Sequence, residues 1–277
     1  MKFNALTYNM SWATQSNKVL GSEADFVKAC QKKYVNGGKT CNENAIKGLK
    51  TLKDIHLMGI QEVNSKIESK IKKVLPKLKK YERGNIGMST VSILWDTSIF
   101  GRLIDKVVFN LYEDSDSRPC LILLTKKGKD FFLLINIHAH WNFKYLIHYL
   151  SKNLSKLDNQ LIKEKFKDKN TKIIVMGDFN DDKYQITKTK PLSFRINKKK
   201  IYLKHNKTKK QLKKSLKSCC WHEKGYPCGH FDSPGDYILT NNKVKQLKMY
   251  IPKFFNKKNQ NNLMYSDHKP VVSELEI

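Results

Sequence analysis

The run Lys172 to Asp181, KIIVMGDFND, constrains this chain more than any other stretch. Its apolar part is strand-long, and the Gly-Asp-Phe-Asn after it is built of turn formers. Such a strand delivers Asp178 and Asn180, two residues apart and on one face, to the rim of a sheet, while Phe179 turns to the core. Nearer the end, Ser266 to Val271 reads SDHKPV and sets Asp267 and His268 ahead of another short apolar run. Lys2 to Met10, KFNALTYNM, reads as a strand ending at Asn9, and His56 to Val63, HLMGIQEV, as one ending at Glu62. Ile135 to His138 (INIH) and Asp236 to Leu239 (DYIL) repeat the pattern of an apolar run beside one chemically capable side chain.

Short β-rich runs bounded by turn residues predict strands at 2–9, 55–61, 91–96, 106–111, 119–125, 131–138, 172–177, 236–240, 244–250 and 270–276. Helices are predicted at 22–34, 43–53, 64–79 and 143–167. Ala45, Ile46, Leu49 and Leu52 in the second helix, and Leu146 to Leu161 in the fourth, recur at helical spacing and read as core stripes. Many strands with few helices between them predict an α/β fold, two sheets packed face to face with helices outside. The 277 residues are read as one domain, 1–277, with inserts at 11–41 and 183–217. No apolar run is long enough for a spanning helix, and Met-Lys leads straight into a strand without a signal-peptide stretch. An intracellular monomer of the cytosol or nucleus is expected. The six cysteines, irregularly spaced, are expected as free thiols. In CCWHEKGYPCGH, residues 219–230, cysteines and histidines are dense, but the spacing matches no strong zinc signature, so no structural Zn²⁺ is expected.

In chain order, TYN, QE, NIH, GDFN, DYIL and SDH resemble the endonuclease/exonuclease/phosphatase superfamily, which includes deoxyribonucleases and AP endonucleases. The resemblance runs from Phe3 to Leu275. It implies a four-layer α/β sandwich, two mostly antiparallel sheets flanked by helices. It also implies hydrolysis of a phosphate ester with Mg²⁺, for which Mn²⁺ can substitute. Such a catalyst must neutralise phosphoryl oxygens, aim a water in line and stabilise the leaving oxygen. Mg²⁺ prefers hard oxygen ligands, so Glu62 is read as the first metal ligand. By resemblance Asp267 is a second, directly or through water, and Asn9 assists the metal or Asp178 by hydrogen bonding. By resemblance Asp178 positions or deprotonates water, Asn180 holds that water or a phosphoryl oxygen, and His268, oriented by Asp236, stabilises the phosphoryl charge. His138 matches a second histidine of deoxyribonuclease-like and deadenylase-like members. Where AP endonucleases carry Tyr, this chain has His138. Arg118 is read as a binder of the scissile phosphate, and His140 and Trp141 as lining the groove.

Charge bears on the substrate. With 53 Lys and Arg against 25 Asp and Glu, the net charge is +28, which no fold needs and which points to a polyanionic partner. Residues 183–217 hold fourteen Lys or Arg and no carboxylate. Lys198, Lys199 and Lys200 are the centre of a prospective clamp on a nucleic-acid backbone. The expected activity is a DNA endonuclease. The alternatives are an RNA nuclease or deadenylase, a tyrosyl-DNA phosphodiesterase, or, in another class, a phosphatase or phospholipase on anionic lipids. GDYIL stands where inositol phosphatases carry Trp-Cys-Asp-Arg, which weighs against that branch. A nucleic-acid-binding relative without activity is the non-enzymatic alternative, against which the complete set of candidate residues speaks.

Overall fold

The computed structural model describes residues 1–11, 41–112, 117–140, 152, 171–180, 192–196, 199–204, 235–256, 266 and 268–277. Among them, strands β1 (Lys2–Asn9), β2 (Ile55–Gln61), β3 (Lys80–Ile86), β4 (Ser89–Trp95), β12 (Lys245–Tyr250) and β13 (Val271–Glu276) form a six-stranded sheet in the order β12-β13-β1-β2-β4-β3. A five-stranded sheet runs β11-β8-β7-β6-β5, from β5 (Arg102–Asn110), β6 (Pro119–Lys127), β7 (Asp130–His138), β8 (Lys172–Asp178) and β11 (Asp236–Thr240). The sheets pack face to face, β1 over β8 and β11, β2 over β7 and β8, and β4 over β6 and β7. Two helices, α1 (Cys41–Lys50) and α2 (Ser65–Val74), pack on each other. This is the predicted α/β sandwich.

Each sheet contains one parallel pair, β1–β2 and β7–β8, and the other pairings within it are antiparallel. Parallel neighbours end at the same edge. Asn9 therefore sits level with Gln61, and His138 level with Asp178. Stacking the two pairs brings four strand ends to one rim. At the opposite pole, Phe3, Phe100 and Phe132 close the core edge to face, with centroids 5.2 Å apart at each step.

Several elements depart from the sequence expectation. The predicted helix over 64–79 stops at Val74, with Leu75 capping it. Pro76 disfavours helical backbone at the residue before it. Asn64 starts the helix by accepting from the Ile67 N–H at 3.0 Å. The chain turns through 75–79 and enters β3, an edge strand whose sequence, KYERGNI, has no apolar alternation to announce it. β5 begins at Arg102 rather than 106 and carries a bulge between Leu103 and Asp105. The 183–217 block contains a hairpin, β9 (Leu192–Ile196) with β10 (Lys199–Leu203), docked through a Lys204–Thr240 bridge. The cysteine expectation is corrected as well. Cys120 is a buried free thiol, but Cys41 is disulfide-bonded. The predicted helices at 22–34 and 143–167, the Cys/His cluster at 219–230 and most of the 11–41 insert lie outside the described residues, apart from the single position Lys152. Among the described residues no helix is long and apolar enough to cross a membrane.

Candidate active site

Asp178 is the centre of the rim. Its backbone ends β8 after Gly177, whose φ is +148°. A Cβ there would lie 2.2 Å from the Ile137 carbonyl oxygen, so the close β7–β8 approach requires glycine. Phe179 then turns into the core against Tyr237, at a centroid distance of 5.8 Å. Asn180 takes a left-handed φ of +47°, a conformation that asparagine tolerates. Its backbone N–H donates to Asp178 Oδ1 at 2.9 Å, and its Nδ2 donates to the Ala139 carbonyl at 2.7 Å. Ser11 and Glu62, just beyond the ends of β1 and β2, also hold positive φ, of 55° and 53°. Backbone strain of this kind collects at functional rims and costs of order 1–3 kcal/mol per residue.

The two sheets meet through Asn9. Its Nδ2 donates to Glu62 Oε1 at 3.0 Å and to Asp178 Oδ2 at 3.1 Å. Its Oδ1 accepts the Ser11 N–H at 2.9 Å. Asn9 thus holds the carboxylates with its donor, while its oxygen is turned to Ser11. Ser266, which the sequence reading left without a role, donates from Oγ to the Asn9 carbonyl at 2.8 Å and accepts the His268 N–H at 3.1 Å. The signal was there in the Ser-Asp-His triplet.

Two histidines flank Asp178. His268 Nδ1 lies 2.7 Å from Asp236 Oδ2, and its Nε2 lies 3.7 Å from Asp178 Oδ2. Asp236 pairs directly across from Asp178 in the β8–β11 ladder, which is why both carboxylates reach one imidazole. On the other side His138 Nε2 lies 3.3 Å from Glu62 Oε1 and 3.9 Å from Asp178 Oδ2. The Arg118 guanidinium reaches that same Nε2 at 2.8 Å. Arginine only donates, so His138 Nε2 accepts and the ring is neutral in this arrangement. Asn110 fixes Arg118 from behind, since its Oδ1 accepts the Arg118 N–H at 2.9 Å.

The electrostatics follow from burial. Asp178 is 1% exposed, and desolvation raises its pKa above the ordinary carboxylate value, opposed by the charge of His268. Desolvation lowers the pKa of His138, against the pull of Glu62 and Asp178. Glu62 Oε1 and Asp178 Oδ2 both face one amide nitrogen, two hard oxygens in a setting that suits a hard divalent cation. Asp178, Asp236 and His268 also offer three ligand atoms within 4.8 Å of one another. In that group the short His268–Asp236 bond fits an oriented imidazole better than a pair of ligands.

The chain belongs to the endonuclease/exonuclease/phosphatase family. The family model, described as Endonuclease/Exonuclease/phosphatase family, matches residues 6–268. Family members are metal-dependent hydrolases of phosphoester bonds. A D. rerio TDP2 complexed with single strand DNA product is similar in structure, with TM-score 0.63 at 14% identity over 100% of this chain and 99% of that one. A truncated Caenorhabditis elegans TDP2 gives 0.62 at 13% identity over 100% and 98%. The Bacteroides thetaiotaomicron mannosyl-6-phosphatase Bt3783 gives 0.60 at 16% identity over 99% and 100%. No curated protein matches the chain in sequence. At these identities the structural likeness shows the family fold.

Of the sequence-predicted residues, Asn9, Glu62, Arg118, His138, Asp178, Asn180, Asp236 and His268 come together at this rim. His140 stands beside it, edge-on to Tyr112 at 5.7 Å. Lys200 does not join them. It is exposed on β10 with its Nζ 5.1 Å from the Tyr202 ring centre, and the hairpin docks at Thr240, the end of β11 away from Asp236. Lys199 is described through its backbone in β10 alone. Asp267, Trp141 and Lys198 lie outside the described residues.

Proposed function

We propose that this family member is a Mg²⁺-dependent phosphodiesterase acting on nucleic acid, a DNA endonuclease first and an RNA nuclease second. One observation carries the reaction: Asn9 Nδ2 joins Glu62 and Asp178 across the two sheets, between two histidines and an arginine. Glu62 would hold the metal, with Asp267 as its partner. When bound there, the ion would supply positive charge against the phosphoryl oxygens and acidify a water. Asp178 takes the proton from the attacking water, and its burial makes it the stronger base. Asn180 has spent Nδ2 on Ala139, so it has Oδ1 to offer, which suits the water rather than a phosphoryl oxygen. His268, its Nδ1 tied to Asp236, meets developing negative charge with Nε2. Arg118 leaves His138 to grip the scissile phosphate.

The substrate reading rests on the net charge of +28, which suits a polyanion. A structurally similar protein holding a single strand DNA product supports DNA. Tyrosyl-DNA adducts stay within this reading as an alternative end-group substrate. A second reading, a sugar phosphomonoesterase, has the mannosyl-6-phosphatase likeness behind it, and the charge disfavours it. The deciding experiment offers single- and double-stranded DNA, RNA, phosphoinositide vesicles and mannose 6-phosphate side by side with Mg²⁺. Turnover of nucleic acid is expected. Turnover confined to the lipid or sugar phosphate would move the assignment.

A further inference from the structure

One layer beneath the rim, the sheets are tied by side-chain amides where apolar packing is the ordinary solution. Asn136, fully buried in β7 two residues before His138, reaches across to the other sheet. Its Nδ2 donates to the carbonyls of Ile60 at 2.9 Å and Ser92 at 2.8 Å, and its Oδ1 accepts Gln61 Nε2 at 2.6 Å. Gln61, the residue before Glu62, also donates to Thr7 Oγ1 at 3.1 Å, and Thr7 lies two residues before Asn9. Gly59 leaves the room for this crossing. A Cβ there would lie 2.9 Å from Asn136 Oδ1 and 3.1 Å from Met176 Cβ, and Met176 lies two residues before Asp178.

Stability alone does not explain the layer. Buried amides are costly unless every polar atom is paired, and Gln61 Oε1 is buried without a hydrogen-bond partner among the described residues. What amides add over leucine is direction. Apolar contact between sheets is non-directional and tolerates sliding, whereas three short bonds from one side chain fix the offset. The rim needs that offset, because Asn9 and Glu62 come from one sheet and Asp178 and His138 from the other.

We infer that Asn136 is a positioning residue for the Glu62–Asp178 pair, with Gln61 as its partner and Gly59 as the clearance that admits it. The kinetic part rests on the phosphodiesterase reading, and the metal-binding part does not.

The test compares Asn136→Leu, Gln61→Leu and Gly59→Ala with Phe132→Leu, a core change at the opposite pole. For each, Mn²⁺ affinity is titrated directly on metal-free protein, Tm is recorded, and kcat and KM are measured well below Tm. The expected result is Mn²⁺ affinity weakened by about tenfold or more in the three layer variants, the range for partners that orient metal ligands. With it, kcat should fall and KM stay level, while Phe132→Leu at matched Tm loss changes neither affinity nor kcat. Gly59→Ala removes no polar group and keeps the test open should Asn136→Leu fail to fold. Layer variants that bind Mn²⁺ like the wild type or like Phe132→Leu would overturn the inference. A wild type that binds Mn²⁺ but cleaves no phosphate ester would sink the proposed function, and the affinity series would still decide the role of Asn136.

Discussion

His268 Nδ1 stands 2.7 Å from Asp236 Oδ2, and Asp236 is the residue directly opposite Asp178 in the β8–β11 ladder. The imidazole is thereby oriented by one carboxylate and faces another. Asp236→Asn keeps the shape and removes the charge that holds an imidazolium. A fall in kcat of about 10² or more is expected, within the range for a mispositioned acid–base group. Asp236→Asn activity within twofold of wild type would remove this role.

Burial should be visible in titration. In metal-free protein the Asp178 carboxyl, followed by ¹³C NMR, should take its proton above the ordinary 3.8, because desolvation raises it. The folded state then binds that proton more tightly than the unfolded one. Stability from this group is present below the unfolded pKa and lost as pH rises through the window up to the raised folded value. His138 runs the other way. Its depressed pKa contributes stability above the ordinary 6.5 that is lost as pH falls through the folded value. A carboxyl at Asp178 titrating below 3.8 would contradict the burial argument.

Glu68 on α2, with its side chain 3% exposed, is held by Arg83 of β3 through bonds of 3.1 and 2.5 Å and by the Ser92 hydroxyl. Arg83→Leu leaves that carboxylate without its cation, and a loss of about 3–5 kcal/mol in urea unfolding is expected. Arg83→Leu with Glu68→Leu should recover much of it. A double variant no better than the single would locate the effect elsewhere.

If the basic surface grips nucleic-acid phosphates, binding must be salt-sensitive. Between 50 and 200 mM salt, affinity for DNA should fall by about 10³ or more, the loss for six or more phosphate contacts. A flat salt response would separate the +28 charge from substrate binding.

The strands that position the site were legible because they are buried. β2 and β8 are almost wholly inside, and their apolar runs end in the residues that matter, Glu62 just past one and Asp178 on the other. β3 was not legible, since an edge strand reading KYERGNI has polar residues on both faces. The helix before it was drawn too long because its apolar spacing runs past Leu75, while Pro76 is what stops it. Individual rim residues could be picked from their motifs, but their partners could not. That Arg118 meets His138, and that Asn9 offers nitrogen rather than oxygen, depends on contacts between residues 20 and 169 positions apart. Asn136 and Gln61 were in view inside NIH and QE, yet nothing in a strand-period pattern says that a buried amide crosses to the facing sheet.

The most direct test of the central claim is nicking of supercoiled plasmid by purified protein with Mg²⁺, against EDTA and Asp178→Asn controls. Cleavage that disappears with either control is the predicted result. Cleavage that survives Asp178→Asn, or none at all despite tight salt-sensitive binding, would contradict a metal-dependent DNA endonuclease centred on Asp178.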